Sequence, residues 1–358
     1  MPGDILSGPD IDSETNARCL RTRRGAEFDL PMFLPVFRPG TAVVGPGAWE
    51  GAPLIRGCMS NAFFLYKDRA MRRRFAGGYT LSGHLGFDGL LCTDSGAFQG
   101  FRGKIFLSNR KIVAFQDSIG TDIAAPLDLV TPPGDKRTVA ERKLARTQER
   151  IREGLALAEH CLLAGIQQGG RFMDLRRRSV DELVEMGVEY LGLGSLVPFF
   201  NKNHDLGFVG QVIRDSRAAA GPDLPMHVYG AGDPCEIPFM AAMGADIFDS
   251  SSYAHFANSG WYMTRFGALN RPDHLLAGEY SCPCPACAAA SPEDIFRSRD
   301  ALTLHNLWTI CDTVDRMGAA IREGRLDAML DEVLARHTEW FPESALAPSW
   351  EALWSDDG

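Results

Sequence analysis

Eight short apolar runs, most of them closing on Gly, Asp, Gln, Asn or Ser, constrain this chain more than any other feature. They lie at 32–37 (MFLPVF), 54–62 (LIRGCMSNA), 90–94 (LLCTD), 123–128 (IAAPLD), 163–168 (LAGIQQ), 190–195 (YLGLGS), 226–231 (MHVYGA) and 247–251 (IFDSS). Continuous rather than alternating hydrophobicity marks a strand buried on both faces. Several of the gaps between runs carry helical spacing, at 138–161, 179–188 and 207–219. Strand alternating with helix builds a parallel sheet, and eight repeats fit a closed (β/α)8 TIM barrel. A doubly wound open sheet is the structural rival. Downstream, Val314, Met317, Ile321, Leu326, Met329, Leu330 and Leu334 keep helical spacing with a break at Gly324. That spacing predicts a C-terminal helical tail, whose end docks through Trp350 and Trp354.

In a barrel of this kind, chemistry gathers where strands end. The residues there are Asp94, Asp128, Gln168, Gly194, Ser195, Tyr229, Gly230 and Asp249. Each Asp or Ser alone could be an ordinary strand-to-helix turn former. Asp94, Asp128 and Asp249, each at or next to the end of an apolar run, point together to a site. Two carboxylates facing one glycosidic carbon suit retaining glycosyl transfer, in which one attacks C1′ and the other moves the proton. Asp94 and Asp249 are candidates for that pair. Gln168 and the backbone at Gly194–Ser195 offer an amide and free polar groups for a nucleobase edge. Phe98 and Tyr229 could stack on a planar ring, although either ring could equally fill the core.

Nine cysteines are present, and three of them fall within six residues, Cys282-Pro-Cys284-Pro-Ala-Cys287. With His305 downstream they supply three thiolates and one imidazole, a complete tetrahedral shell for a structural Zn2+. Such a closed shell leaves no position for a catalytic water, which disfavours a zinc hydrolase.

The composition is that of a globular protein: 358 residues, 45% hydrophobic, 23% charged, formal net charge −9. The acidity is local. From 291 to 358 there are 6 Lys and Arg against 14 Asp and Glu, leaving the preceding residues almost neutral. Basic knots stand among them: Arg21, Arg23 and Arg24; Arg69, Arg72, Arg73 and Arg74; Lys136 to Arg150; and Arg176, Arg177 and Arg178. Local potential decides contact with a polyanion, so an acidic total does not exclude one. For most of these knots, solvated helix faces are the plainer reading; the last trio is the candidate for a polymer clamp. No stretch approaches the uncharged apolar length of a membrane span, and residues 1–30 lack the apolar centre of a signal peptide. A cytoplasmic protein is expected. Residues 1–30 read as an N-terminal extension and 31–358 as a single domain, with a zinc subdomain at about 275–310.

At these residues the chain resembles a known family. LLCTDSGAFQ, GIQQGGRFMDLR, LGLGSLVP, HVYGAGDP, FDSSSYA and CPCPAC followed by LHNL are similar to the motifs of the tRNA-guanine transglycosylases, in the family's order from about Met32 to Leu326. The resemblance implies a (β/α)8 barrel with a zinc-binding insertion. It also implies exchange of guanine in tRNA for a 7-deazaguanine through a covalent Asp–ribose intermediate, and a homodimer. By that resemblance Asp249 is the nucleophile and Asp94 the general acid/base. Asp128 reads the N1–H and 2-amino edge, Gln168 reads O6, and Gly194–Ser195 face the 7-substituent. Phe98 and Tyr229 sandwich the base, and Cys282, Cys284, Cys287 and His305 hold zinc. LGLGSLVPFF, HVYGAGDP and the SYA after Asp249 look like the archaeosine type, which inserts 7-cyano-7-deazaguanine. The queuosine type carries a Glu shortly after the Gly-Gly-Leu turn; here Val197-Pro198-Phe199-Phe200 has no carboxylate. A queuosine-type exchange is the alternative. Archaeosine-type members carry further C-terminal RNA-binding domains, and a related branch acts on DNA, so tRNA and DNA both stay open as the polymer.

Overall fold

A computed structural model describes residues 18–37, 45, 55–97 and 107–355. Its strands are β1 (Cys19–Arg21), β2 (Glu27–Asp29), β3 (Met32–Pro35), β4 (Gly57–Asn61), β5 (Leu90–Asp94), β6 (Ile123–Ala124), β7 (Leu162–Leu163), β8 (Gly165–Gln167), β9 (Leu191–Leu193), β10 (Met226–Val228), β11 (Ile247–Ser250), β12 (Tyr262–Thr264) and β13 (Gly267–Leu269). All eight apolar runs contain strand, and the fold is α/β. Strands β3-β11-β10-β9-β8 form one sheet and β4-β5-β6-β7 another, parallel throughout. The two sheets meet at a bridge between Val36 and Met59, where Phe37 N–H donates to Met59 O at 2.9 Å. They meet again within the run 162–167. There Ala164 N–H bonds Ala124 O on one side, and Gly165 N–H bonds Tyr190 O on the other. Strand interiors such as Leu34, Leu90, Ile123, Leu191, Val228 and Phe248 are fully buried, which accounts for the unbroken hydrophobicity of the runs.

Helices cover the sheets. The expected helical gaps form Arg137–Leu155, Met173–Glu185 and Gly207–Ala220. The predicted tail forms Arg299–Arg322 and Leu326–Trp340, separated at Gly324, whose φ of 64° ends the first helix in the left-handed region. A last helix, Leu346–Trp354, rests on the body of the molecule, with the Trp350 ring 5.0 Å from Phe239. Among the described residues no helix is long and apolar enough to cross a membrane.

Two of the basic knots sort differently from a phosphate-binding surface. Strands β1 and β2 form an antiparallel hairpin, and its arginines hold residues beside the starts of core strands. Arg18 pairs with Asp246, just before β11, Arg23 with Glu189 at 2.7 Å and Arg24 with Asp122 at 3.2 Å. This staples the hairpin to the sheet end opposite the candidate residues. Arg177 and Arg178 pair along their own helix with Asp181 at 3.2 Å and Glu182 at 3.4 Å. Arg176, expected beside them on a polymer-facing surface, is instead only 1% exposed. Its guanidinium donates to Gly170 O at 2.7 Å, Gln167 Oε1 at 2.9 Å and Gly194 O at 3.2 Å, and burial lowers its pKa to about 9. It therefore ties two loops of the candidate site together from beneath. Arg176→Ala would orphan three buried acceptors and open a cavity, so we expect a loss of about 3 kcal/mol in chemical denaturation. A wild-type midpoint in the variant would contradict this placement.

Candidate active site and metal centre

Asp94, Asp128, Gly194, Ser195, Tyr229, Gly230 and Asp249 line one cleft of about 210 Å³, together with Asn61, Val130, Val197 and Pro198. Strand ends from both sheets thus converge, as the sequence led us to expect. Gln168 lies directly behind the cleft, fully buried. Phe98 lies outside the described residues.

Asp249 is held by its surroundings through one oxygen. Its Oδ1 lies 2.9 Å from His227 Nε2 and accepts from Gly230 N–H at 3.0 Å. Gly230 presents that N–H from a left-handed turn, φ 81°. Among the described residues Oδ2 has no hydrogen bond and is the free face of the carboxylate. His227 Nδ1 in turn lies 2.8 Å from the Tyr190 hydroxyl. A carboxylate oxygen only accepts, so in the neutral imidazole Nδ1 is the acceptor, and the Tyr190 phenol, kept protonated by burial, donates to it. Nε2–H is then the donor to Asp249. Both His227 and Tyr190 are fully buried, so this chain fixes one oxygen of the carboxylate in place.

Asp94 pairs in register with Asn61 across β4 and β5, and Asn61 Nδ2 donates to its Oδ2 at 2.7 Å. Its pKa is raised to about 6. Burial is the main cause and the Asp249 charge adds to it, against backbone N–H groups of Gly96 and Ser95 that pull it down. Asp128 is raised further, to about 7, by burial and by the Asp94 charge. Gln168 Nε2 donates to Asp128 Oδ2 at 2.6 Å, Ser195 Oγ donates to Gln168 Oε1 at 2.6 Å, and Thr131 N–H donates to Ser195 Oγ at 2.8 Å. Four residues from three loops thus form one polar edge. Tyr229 lays its ring over Gly192, where an added Cβ would stand 2.3 Å from the ring. Only glycine admits that approach. Among the described residues the buried Tyr229 hydroxyl has no hydrogen-bond partner. Burial keeps it protonated, reinforced by nearby Cys92 and by the three carboxylates of the cleft.

Elsewhere, Cys282, Cys284, Cys287 and His305 bring their ligand atoms within 4.8 Å of one another and could hold a metal ion. His305 Nδ1 lies 3.5 Å from Cys284 Sγ and 3.4 Å from Cys287 Sγ. A tetrahedral ion with zinc-like bond lengths gives sulfur–nitrogen edges of about 3.5 Å. The other ring nitrogen, Nε2, lies 2.8 Å from Met263 O, which directs Nδ1 to the thiols and fixes the tautomer a ligand needs. Tyr262 stacks on the same ring, centroids 3.6 Å apart. All nine cysteines are free thiols.

Sequence reasoning missed Asn61, His227 and Tyr190, and set Arg176 on the surface rather than beneath the site. His227 carried a signal: it is the one polar residue inside the apolar run MHV, two places from Tyr229. On a strand that spacing means the same face.

A family model described as queuine tRNA-ribosyltransferase matches residues 13–339. The chain is also similar to proteins named tRNA-guanine(15) transglycosylase. It is 36% identical to that of Pyrococcus abyssi (strain GE5 / Orsay) over 329 residues, 88% of this chain and 54% of the relative. To that of Methanopyrus kandleri it is 35% identical, covering 90% of this chain and 69% of the relative. To that of Methanosarcina mazei it is 31% identical, covering 91% and 67%. The chain belongs to the queuine tRNA-ribosyltransferase, or tRNA-guanine transglycosylase, family. It spans about half the length of the Pyrococcus and Thermococcus relatives it matches.

Proposed function

We propose that this protein exchanges guanine in tRNA for a 7-deazaguanine, 7-cyano-7-deazaguanine being the preferred base. The observation that carries the reading is the pairing in one cleft of Asp249, with one oxygen held and one free, and Asp94, poised near pH 6. Asp249 Oδ2 attacks ribose C1′ as the C1′–N9 bond breaks. The departing guanine takes the electron pair and then a proton from Asp94, of which roughly a tenth is protonated at pH 7. The incoming base gives its N9 proton to the Asp94 carboxylate and attacks C1′, releasing Asp249. The phosphodiester chain stays intact. Asp128 faces the N1–H and 2-amino edge, Gln168 steadies it, and Gly194–Ser195 lie toward the 7-substituent.

The two sheets are, in this reading, halves of one closed (β/α)8 barrel. The Val36–Met59 bridge and the shared run 162–167 support it. Residues 31–358 then form one domain, with about 275–310 as its zinc-binding insertion. The relatives' name supports tRNA, and guanine 15 is the position that name implies. Arg69, Arg72, Arg73 and Arg74 remain exposed, without a carboxylate partner among the described residues, and could meet its backbone.

His227 acts as a positioning residue for Asp249. His227→Ala should lower kcat by about 10²-fold with the KM for free base unchanged, because misplacing a nucleophile by about 1 Å costs that much. A purely structural role would move stability and leave the kcat-to-KM split untouched.

The test of the function is label uptake. Purified protein is incubated with labelled 7-cyano-7-deazaguanine and either bulk tRNA or duplex DNA. Label in tRNA supports the reading, label in DNA alone moves the chain to the DNA-acting branch, and label in neither sinks base exchange. Competition between equal amounts of the cyano and aminomethyl bases should favour cyano. Val130, Val197 and Pro198 line the cleft where an ammonium would need a carboxylate. A ratio favouring aminomethyl would place the chain with the queuosine type.

A further inference from the structure

A second, larger cleft of about 510 Å³ adjoins the first through Gly230 and is lined by Phe200, His204, Asp233, Glu236, His255 and Trp261 among others. The mechanism uses none of these side chains. We propose that His204, Asp233 and Glu236 form a binding site for a divalent transition-metal ion that opens onto this cleft. Their ligand atoms, one imidazole nitrogen and two carboxylate oxygens, all lie within 4.8 Å of one another. His204 Nδ1 is 2.9 Å from Glu236 Oε1 and 3.9 Å from Asp233 Oδ2. Metal–ligand bonds of about 2.0–2.2 Å require ligand-to-ligand edges of about 3.0–3.5 Å. The His204–Glu236 separation falls just short of that range and the His204–Asp233 separation just beyond it.

The three donors are held from behind, as ligands need to be. Glu236 is only 5% exposed. Asp233 Oδ1 accepts from Cys235 N–H at 2.9 Å, which leaves Oδ2 for the ion. The His204 ring meets the His337 ring edge-on, centroids 4.8 Å apart. His337 is fixed in turn, its ring nitrogens 2.8 Å from Phe266 O and 2.7 Å from Ser344 Oγ. A mixed nitrogen and oxygen set suits Mn2+, Fe2+, Co2+ or Zn2+, and three protein ligands leave positions open toward the cleft. The proposal is independent of the base-exchange reading.

The test is a titration of folded, zinc-replete protein with Mn2+, following the free-ion electron paramagnetic resonance signal, and with Co2+, following its visible d–d bands. One further equivalent should bind beyond the metal at the cysteine cluster. Asp233→Asn and His204→Gln should each weaken it at least about tenfold, with the cysteine-bound metal retained. If His204→Gln fails to fold, Asp233→Asn carries the test. No binding of either ion below about 1 mM, or binding unchanged in both folded variants, overturns the proposal and leaves the triad as an internal ion pair.

Discussion

Asp249→Ala should abolish base exchange, a fall of about 10⁴-fold or more, while leaving the fold and metal content unchanged. The reasoning is local. Once guanine departs, C1′ needs a nucleophile that can hold it and later leave, and Asp249 offers a carboxylate whose Oδ1 is tethered by His227 and Gly230 while Oδ2, among the described residues, carries no hydrogen bond. Removing the carboxylate also relieves Asp94, whose pKa it helps raise. Against that relief, His227 Nε2 and Gly230 N–H lose their acceptor, so the melting point should fall by a few degrees at most. Turnover within about tenfold of wild type would mean that another group forms the bond to ribose.

Cys284→Ser should have the second-largest effect, on folding rather than chemistry. Metal content should drop from about one equivalent to nearly none, and the melting temperature should fall by several degrees, because forming such a site is coupled to folding the chain around it. The loss should spread toward the active site. His305 sits on the helix Arg299–Arg322, and its neighbour Asn306 donates to Tyr253 O at 3.2 Å and Trp261 O at 3.0 Å. Tyr253 belongs to the helix Ser252–Asn258 that follows β11, the strand bearing Asp249. Reduced exchange with the residual enzyme is thus expected alongside the lower melting point. Wild-type stability in a metal-free variant would show that the cysteines and His305 do not hold a structural ion.

The strands were legible because burial on both faces leaves few polar positions inside a run, and the runs end where side chains reach the cleft. Asp94 and Asn61 illustrate the limit. Asp94 closes its run and announces itself, whereas Asn61 matters only because β4 and β5 pair in a register that no sequence spacing states. Arg176 shows how charge misleads. The helix Met173–Glu185 buries Leu175, Arg176, Ser179, Val180 and Leu183, an inner face on which position 176 falls by the 3.6-residue period. Three adjacent arginines suggested a surface, but the periodicity places the first inward, where carbonyls replace water. The cysteine cluster was legible since its ligands are close in sequence. His204, Asp233 and Glu236 were not, since the turn after β10 and a loop 29 residues upstream meet only in space.

The central claim is a covalent link between Asp249 and ribose. It is tested most directly by incubating wild-type protein with its polynucleotide in the absence of any 7-deazaguanine, denaturing, and mapping the adduct by mass spectrometry after digestion. The account predicts a denaturation-resistant adduct on the peptide containing Asp249, discharged when base is added before denaturation and missing from Asp249→Ala. An adduct on another residue, or one that persists in Asp249→Ala, would contradict it.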